Sequence, residues 1–276
     1  MFVTNVLARP EHLPDFKAPP LNEVVIGVQF SSPQSYQQIR SGEVWNLFRE
    51  NYPQIQELPS LPPTFETFGL PYQHSSMPQI SFATGAAHDR FWFLRPDGAE
   101  LIQFQQDRLL HNWRKVGDGT NDYPHFEAMI GKFKEQLNQL QTYMASLAPQ
   151  ALLINQCEIS YINHIKFNRT KSKGFSEWLG FVNFPDGRPD DFNIAFREVI
   201  RDDDGKPIGR FFTEAVLGLL PDGQEIIVLS LTVKGAPSGT DIDSALEFLA
   251  HGREIIDQRF VELTTESAHQ KWERIK

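Results

Sequence analysis

Two stretches of this chain nearly repeat one another. Residues 95–109 read RPDGAELIQFQQDRL, and residues 220–234 read LPDGQEIIVLSLTVK. The coincident positions are Pro96/Pro221, Asp97/Asp222, Gly98/Gly223, Glu100/Glu225 and Ile102/Ile227. Each copy reads as a turn feeding a strand. Proline presets φ at the second turn position, aspartate suits the third, and glycine takes the left-handed conformation that follows. A chain that writes one hairpin twice is constrained to fit both copies into its fold.

The flanking elements extend the parallel. Residues 1–20 are proline-rich and aperiodic and read as an N-terminal arm. NEVVIGVQF puts Val24, Ile26, Val28 and Phe30 on one face of a strand, and SYQQIRSGEVWNLFRENYP follows as a helix ended by Pro53. Residues 53–76 hold five prolines and read as a surface loop. Strands are predicted around Gln79–Thr84, Arg90–Leu94 and Glu100–His111. From Pro124 to Leu147 apolar residues recur at spacings of three and four, which predicts a long helix. The order then restarts: a strand at CEISYINHI, a short helix over 174–182, strands at Asn193–Arg201, Phe211–Leu219 and Glu225–Val233, and a long helix from Asp241 to Leu263. A terminal helix near 266–275 carries Trp272.

This succession predicts an α+β chain built by internal duplication of a βαβββα unit, with halves at 21–150 and 151–276 packed as one globular unit. Each half is expected to be a curved antiparallel sheet covered by a long helix. The element order looks like the TATA-binding-protein type of fold, also called helix-grip.

Composition narrows the function. The formal net charge is −9, which disfavours nucleic acid as a partner, because phosphate backbones demand a basic footprint. The single cysteine, Cys157, allows no intrachain disulfide framework and no cysteine-based zinc site, and it reads as a small core residue. The first residues lack the basic and apolar regions of a secretion signal, and no run approaches a membrane span, so a cytoplasmic location is expected. The eight histidines show no metal-ligand spacing. There is no P-loop, GxGxxG or GxSxG. No metal, cofactor or catalytic residue is expected, and the enzyme question stays open with the balance against.

The candidate binding residues lie in LIQFQQDRLLHNWRK. Alternation from Leu101 places Gln103, Gln105, Asp107, His111 and Trp113 on one face of a strand, where the second copy has Val228, Ser230 and Thr232. A row of amides with a carboxylate can present donors and acceptors to a ligand or partner. The same row is equally a solvated face, or a set of cross-strand amide pairs. His111, Asn112, Trp113 and Arg114 close the strand, and Trp and Arg are the commonest interface anchors. The candidate set is therefore Gln103, Gln105, Asp107, His111, Asn112, Trp113 and Arg114.

LNEVVIGVQF, VWNLFRENYP, LIQFQQDRLLHNWRK, YPHFEAMIGKF and EISYINHI together resemble a family of sporadically distributed, functionally uncharacterised bacterial proteins of similar length. The resemblance covers almost the whole chain. It implies no reaction, and the patchy distribution suits an accessory system such as phage defence or toxin neutralisation. The expected function is a non-enzymatic binding protein with a protein partner. The alternative is a small-molecule or nucleotide-binding protein, or an enzyme, with its pocket between sheet and helices. Oligomeric state is open.

Overall fold

The computed structural model describes residues 9–31, 35–69, 89–117, 119–147, 152–168, 174–184 and 189–276. The strand predicted at Gln79–Thr84 lies outside them. Among the described residues nine strands form one antiparallel sheet: β1 (Leu21–Phe30), β2 (Gln54–Leu58), β3 (Arg90–Leu94), β4 (Glu100–Gln105), β5 (Arg108–Arg114), β6 (Ile154–Lys166), β7 (Asn193–Arg201), β8 (Pro207–Leu219) and β9 (Glu225–Gly235). Their spatial order is β2-β3-β4-β5-β1-β6-β9-β8-β7. The helices are α1 (Ser41–Phe48), α2 (His125–Leu147), α3 (Ile242–Leu263) and α4 (Glu266–Lys271).

This overturns the expectation of two helix-covered sheets made by duplication in a TATA-binding-protein-like or helix-grip arrangement. The chain is α+β, but it has a single sheet. The two opening strands, β1 and β6, pair with each other from Glu23↔Ile162 to Gln29↔Gln156, so no sheet boundary falls between the halves. The contributions are also unequal. Residues before α2 supply five strands, because β2 forms inside the expected loop and the stretch Glu100–His111 is broken by a turn into β4 and β5. The recurrent hairpin has a local cause. Gly98 and Gly223 have φ of +70° and +83°, and Asp97 and Asp222 each accept a hydrogen bond of 2.9 Å from the backbone N–H two residues on. The same three residues, Pro-Asp-Gly, make the same turn wherever they are written.

One face of the sheet carries the core. Val24, Ile26 and Val28 of β1, Ile102 and Phe104 of β4, Cys157, Ile159 and Tyr161 of β6, and Leu229, Leu231 and Val233 of β9 all point to it. Helices α2 and α3 lie side by side over these residues, burying Phe133 and Leu137 from one and Leu246 and Leu249 from the other. The approach of α3 is close. A Cβ on Gly252 would come within 2.7 Å of Ile159 Cγ2 and 3.1 Å of Val233 Cγ1, so the helix rests on the sheet only because this position has no side chain. At its start Asp241 accepts from the Ser244 N–H, the capping arrangement that satisfies a free helix donor. Phe133→Ala should cost about 3–5 kcal/mol, the range for truncating a core phenylalanine, measured by urea denaturation. An unchanged midpoint would contradict this packing.

Candidate functional site

The predicted row does not form one surface. Gln106 and Asp107 make a two-residue turn, and Gln105 pairs with Arg108 across it. The reversal puts Gln103, Gln105, Asn112 and Arg114 on the face away from the core, while His111 and Trp113 point into it. Asp107 sits at the turn and accepts from Gln105 Nε2 at 3.0 Å and Arg108 Nε at 3.1 Å.

On the outer face the amides engage the protein's own chain. Residues 59–68 run as a strap across the sheet. Gln105 clamps one peptide unit of the strap, accepting from the Leu61 N–H at 2.8 Å and donating to the Leu61 carbonyl at 2.9 Å. Arg108 donates to the Pro62 carbonyl, Gln29 accepts from the Thr64 N–H, and Arg210 holds both the Thr67 carbonyl and the Glu66 carboxylate. Gln103 donates to Asn112 at 3.0 Å, and Asn112 donates to Glu23 at 2.6 Å. Arg114 donates to the Gly98 carbonyl and lies over the Trp92 ring. Buried polar groups have to be paired, and here the pairing is internal.

On the inner face His111 is fully buried. Its Nδ1 lies 3.1 Å from Gln136 Nε2, and its Nε2 lies 3.8 Å from Glu100, whose carboxylate accepts from Lys132 at 2.7 Å. Burial pushes the imidazole down to about 4, so it is neutral over the physiological range. Trp113 is also buried and packs 5.1 Å from the Tyr123 ring.

Tyr123 leads to a constellation that the sequence reading did not find. A recess of about 90 Å³ lies between the centre of the sheet, α2, α3 and the N-terminal arm. β6 contributes Tyr161 and Asn163, β9 contributes Leu231, and the arm contributes Arg9 and Phe16. The Tyr123 and Tyr161 hydroxyls meet at 3.1 Å, and burial raises both phenols. From α3, Arg253 reaches Asp257 at 2.9 Å and Glu127 at 3.1 Å. Burial pushes the Asp257 carboxyl up to about 7 against the pull of Arg253 and Arg9. Arg9 Nε is buried with no hydrogen-bond partner among the described residues. His125, at the mouth of α2, has φ +65° and lines the same recess.

The arm closes this space by pairing with the C-terminal segment. Asp15 and Ala18 N–H groups donate to the Lys276 and Trp272 carbonyls, and the Ile275 N–H donates back to Asp15. Leu13 is fully buried as an anchor. Among the described residues, no group of three or more His, Cys, Asp or Glu could hold a metal ion, and no helix is long and apolar enough to cross a membrane. No family model matches this chain, and it matches no curated protein and no solved structure.

One signal for the recess was available in the sequence. Arg253 falls on the apolar stripe of α3 with Leu249, Ile256 and Phe260, and Asp257 follows four residues later. A charged pair on a core-facing stripe demands a partner or a ligand.

Asp257 sets a pH dependence. Its folded pKa is above the ordinary value of 3.8, so the native state favours the protonated acid. The associated stabilisation is complete below the unfolded pKa and is lost as pH rises through about 7. Asp257→Asn keeps the neutral shape. Its stability relative to the parent should rise between pH 4 and 7 and then level off, read by chemical denaturation across pH. A difference that does not vary with pH would show that Asp257 titrates normally.

Proposed function

We propose that the protein binds a compact monocarboxylate with a short apolar tail in the recess between sheet and helices. The observation that carries this reading is the convergence of donors on one partly apolar space. Arg9, whose Nη2 donates to the Pro14 carbonyl and to Asp15, has no hydrogen-bond partner for its Nε among the described residues, and the two tyrosine hydroxyls share a single contact. A protonated Asp257 adds a third donor. Phe16, Phe126, Leu231, Ile256 and Phe260 supply the apolar wall for the tail. A site with apolar walls and a few convergent polar groups is the usual form of a small-molecule pocket.

Size limits the occupant. A cavity of about 150 Å³ accepts a benzene ring, and this recess is about 90 Å³. A chain of three or four carbons fits with the arm closed. Longer ligands require the arm to lift from the C-terminal segment. The outer sheet face is the weaker place for a protein partner, because its amides already hold the strap.

Butyrate and butan-1-ol, titrated into the intact protein and followed by NMR, test the reading. Butyrate should perturb Tyr161, Leu231 and Ile256 and bind more tightly as pH falls below 7. In Asp257→Asn it should still bind, with that pH dependence gone. Tyr161→Phe should weaken it about tenfold, the loss expected from removing one hydrogen bond to a charged group. Equal perturbation by butanol, or none by either probe, would overturn the proposal.

A further inference from the structure

A second concavity lies beyond the arm, at the end of the sheet where β5, β6 and the β8–β9 turn come together. Its volume is about 670 Å³, within the range of small-molecule sites. The charge of its lining runs against that of the chain. The whole protein has 35 acidic and 26 basic residues, yet the cleft is lined by Lys115, His164, Lys166 and Lys271, with Asp222 as the acid among its described lining residues. Lys271 is paired with Glu177. Lys115 and Lys166 have no ion-pair partner among the described residues. His164 lines the same cleft, and its imidazole is pushed down by burial first and then by Lys115 and Lys166.

Four elements supply these groups. Lys115 follows β5, held by its N–H donating to the Asn22 carbonyl at 2.7 Å. His164 and Lys166 end β6, with the His164 N–H donating to the Pro20 carbonyl at 2.8 Å. Lys271 ends α4, and Asp222 sits in the turn after β8. Gly117 and Gly119, with φ of +59° and +72°, bend the chain beside Lys115 and line the same rim. Uncompensated cations gathered in a concavity focus positive potential and attract an anion.

We propose that this cleft is a site for a small phosphorylated molecule, with Lys115, His164 and Lys166 gripping the phosphate. It is distinct from the recess and does not depend on the reading of that site. The cleft exceeds what free phosphate fills, so the ligand has a body attached to its phosphate, and the remaining volume holds that body.

The test uses the full-length protein at constant ionic strength, with inorganic phosphate, ribose 5-phosphate, ribose and chloride as probes. The histidine proton resonances are followed by NMR across pH. Ribose 5-phosphate should bind at least tenfold more tightly than inorganic phosphate, and ribose should not bind. Saturation should move the His164 titration midpoint upward, since a bound dianion favours the imidazolium. Among the groups facing His164, Lys115 and Lys166 oppose its protonation while Asp222 and Lys271 flank the cleft. Lys115→Ala and Lys166→Ala should therefore each weaken binding at least fivefold, and each should raise the unliganded His164 midpoint. Thermal midpoints of both variants should match the parent, because Lys166 is exposed, Lys115 is half-buried, and neither has an ion pair to lose among the described residues. Chloride reproducing the shift would reduce the effect to screening and overturn the proposal. So would an unmoved His164, or variants that bind as the parent does.

Discussion

Antiparallel pairing of β1 with β6 is the contact on which the rest of the structure depends. β1 is written at the start of the chain and β6 past its middle, so the pair closes a long loop, in one register from Glu23 to Gln29. With β5 on the other side of β1 and β9 on the other side of β6, both strands lose their edges. A central pair with no free edge cannot recruit another chain, and it can be covered on both faces. The helices cover one face, and the strap covers part of the other. The register shifts at both ends of β1, between Leu21 and Glu23 and between Gln29 and Phe30. Leu21 lines both the recess and the cleft, so the two concavities meet the sheet at the point where the seam ends.

The two faces solve the polar problem differently. Against the helices the core is largely apolar, and its polar members fall into two groups: a network of Glu100, His111, Gln136, Tyr52 and Lys132, and the tyrosines and charged residues of the recess. On the strap side Gln29, Gln105 and Arg108 bind the strap's backbone, and Arg210 takes both the Thr67 carbonyl and the Glu66 carboxylate. Leu61 and Phe65 of the strap stay exposed while their segment is held by Gln105, Gln29 and Arg108. Each such group left unpaired in a buried position costs about 1–3 kcal/mol. The strap therefore stabilises the sheet mainly by satisfying it, with little apolar burial of its own.

What the sequence reveals here follows from how local each feature is. The long helices fall where apolar spacing puts them, and the PDG turns form because their residues carry the required φ values. The turn at Gln106-Asp107 is hidden because it contains neither glycine nor asparagine, and alternation runs through it without a break. Reading through that turn puts His111 and Trp113 on the same face as Gln103. The chain reversal separates them. The pairing of β1 with β6 is likewise invisible locally, since nothing in either strand names its partner, and a repeated hairpin then suggests two sheets instead of one. The strap lacks periodicity because its own side chains do little; the groups that fix it belong to strands far along the chain. Of the recess, only Arg253 and Asp257 on the inward stripe of α3 leave a trace. Arg9, Tyr123 and Tyr161 are assembled by topology alone.

Amide hydrogen exchange on the native protein tests the central claim most directly. If β1 and β6 form the seam of one sheet, the amides of Val24–Val28 and Ile159–Tyr161 should be among the slowest in the protein. They should share one opening free energy with β4 and β9, because the sheet then opens as a unit. Fast exchange along β1 and β6, with β4 and β9 protected at two separate opening free energies, would mean two independent sheets and would contradict the account.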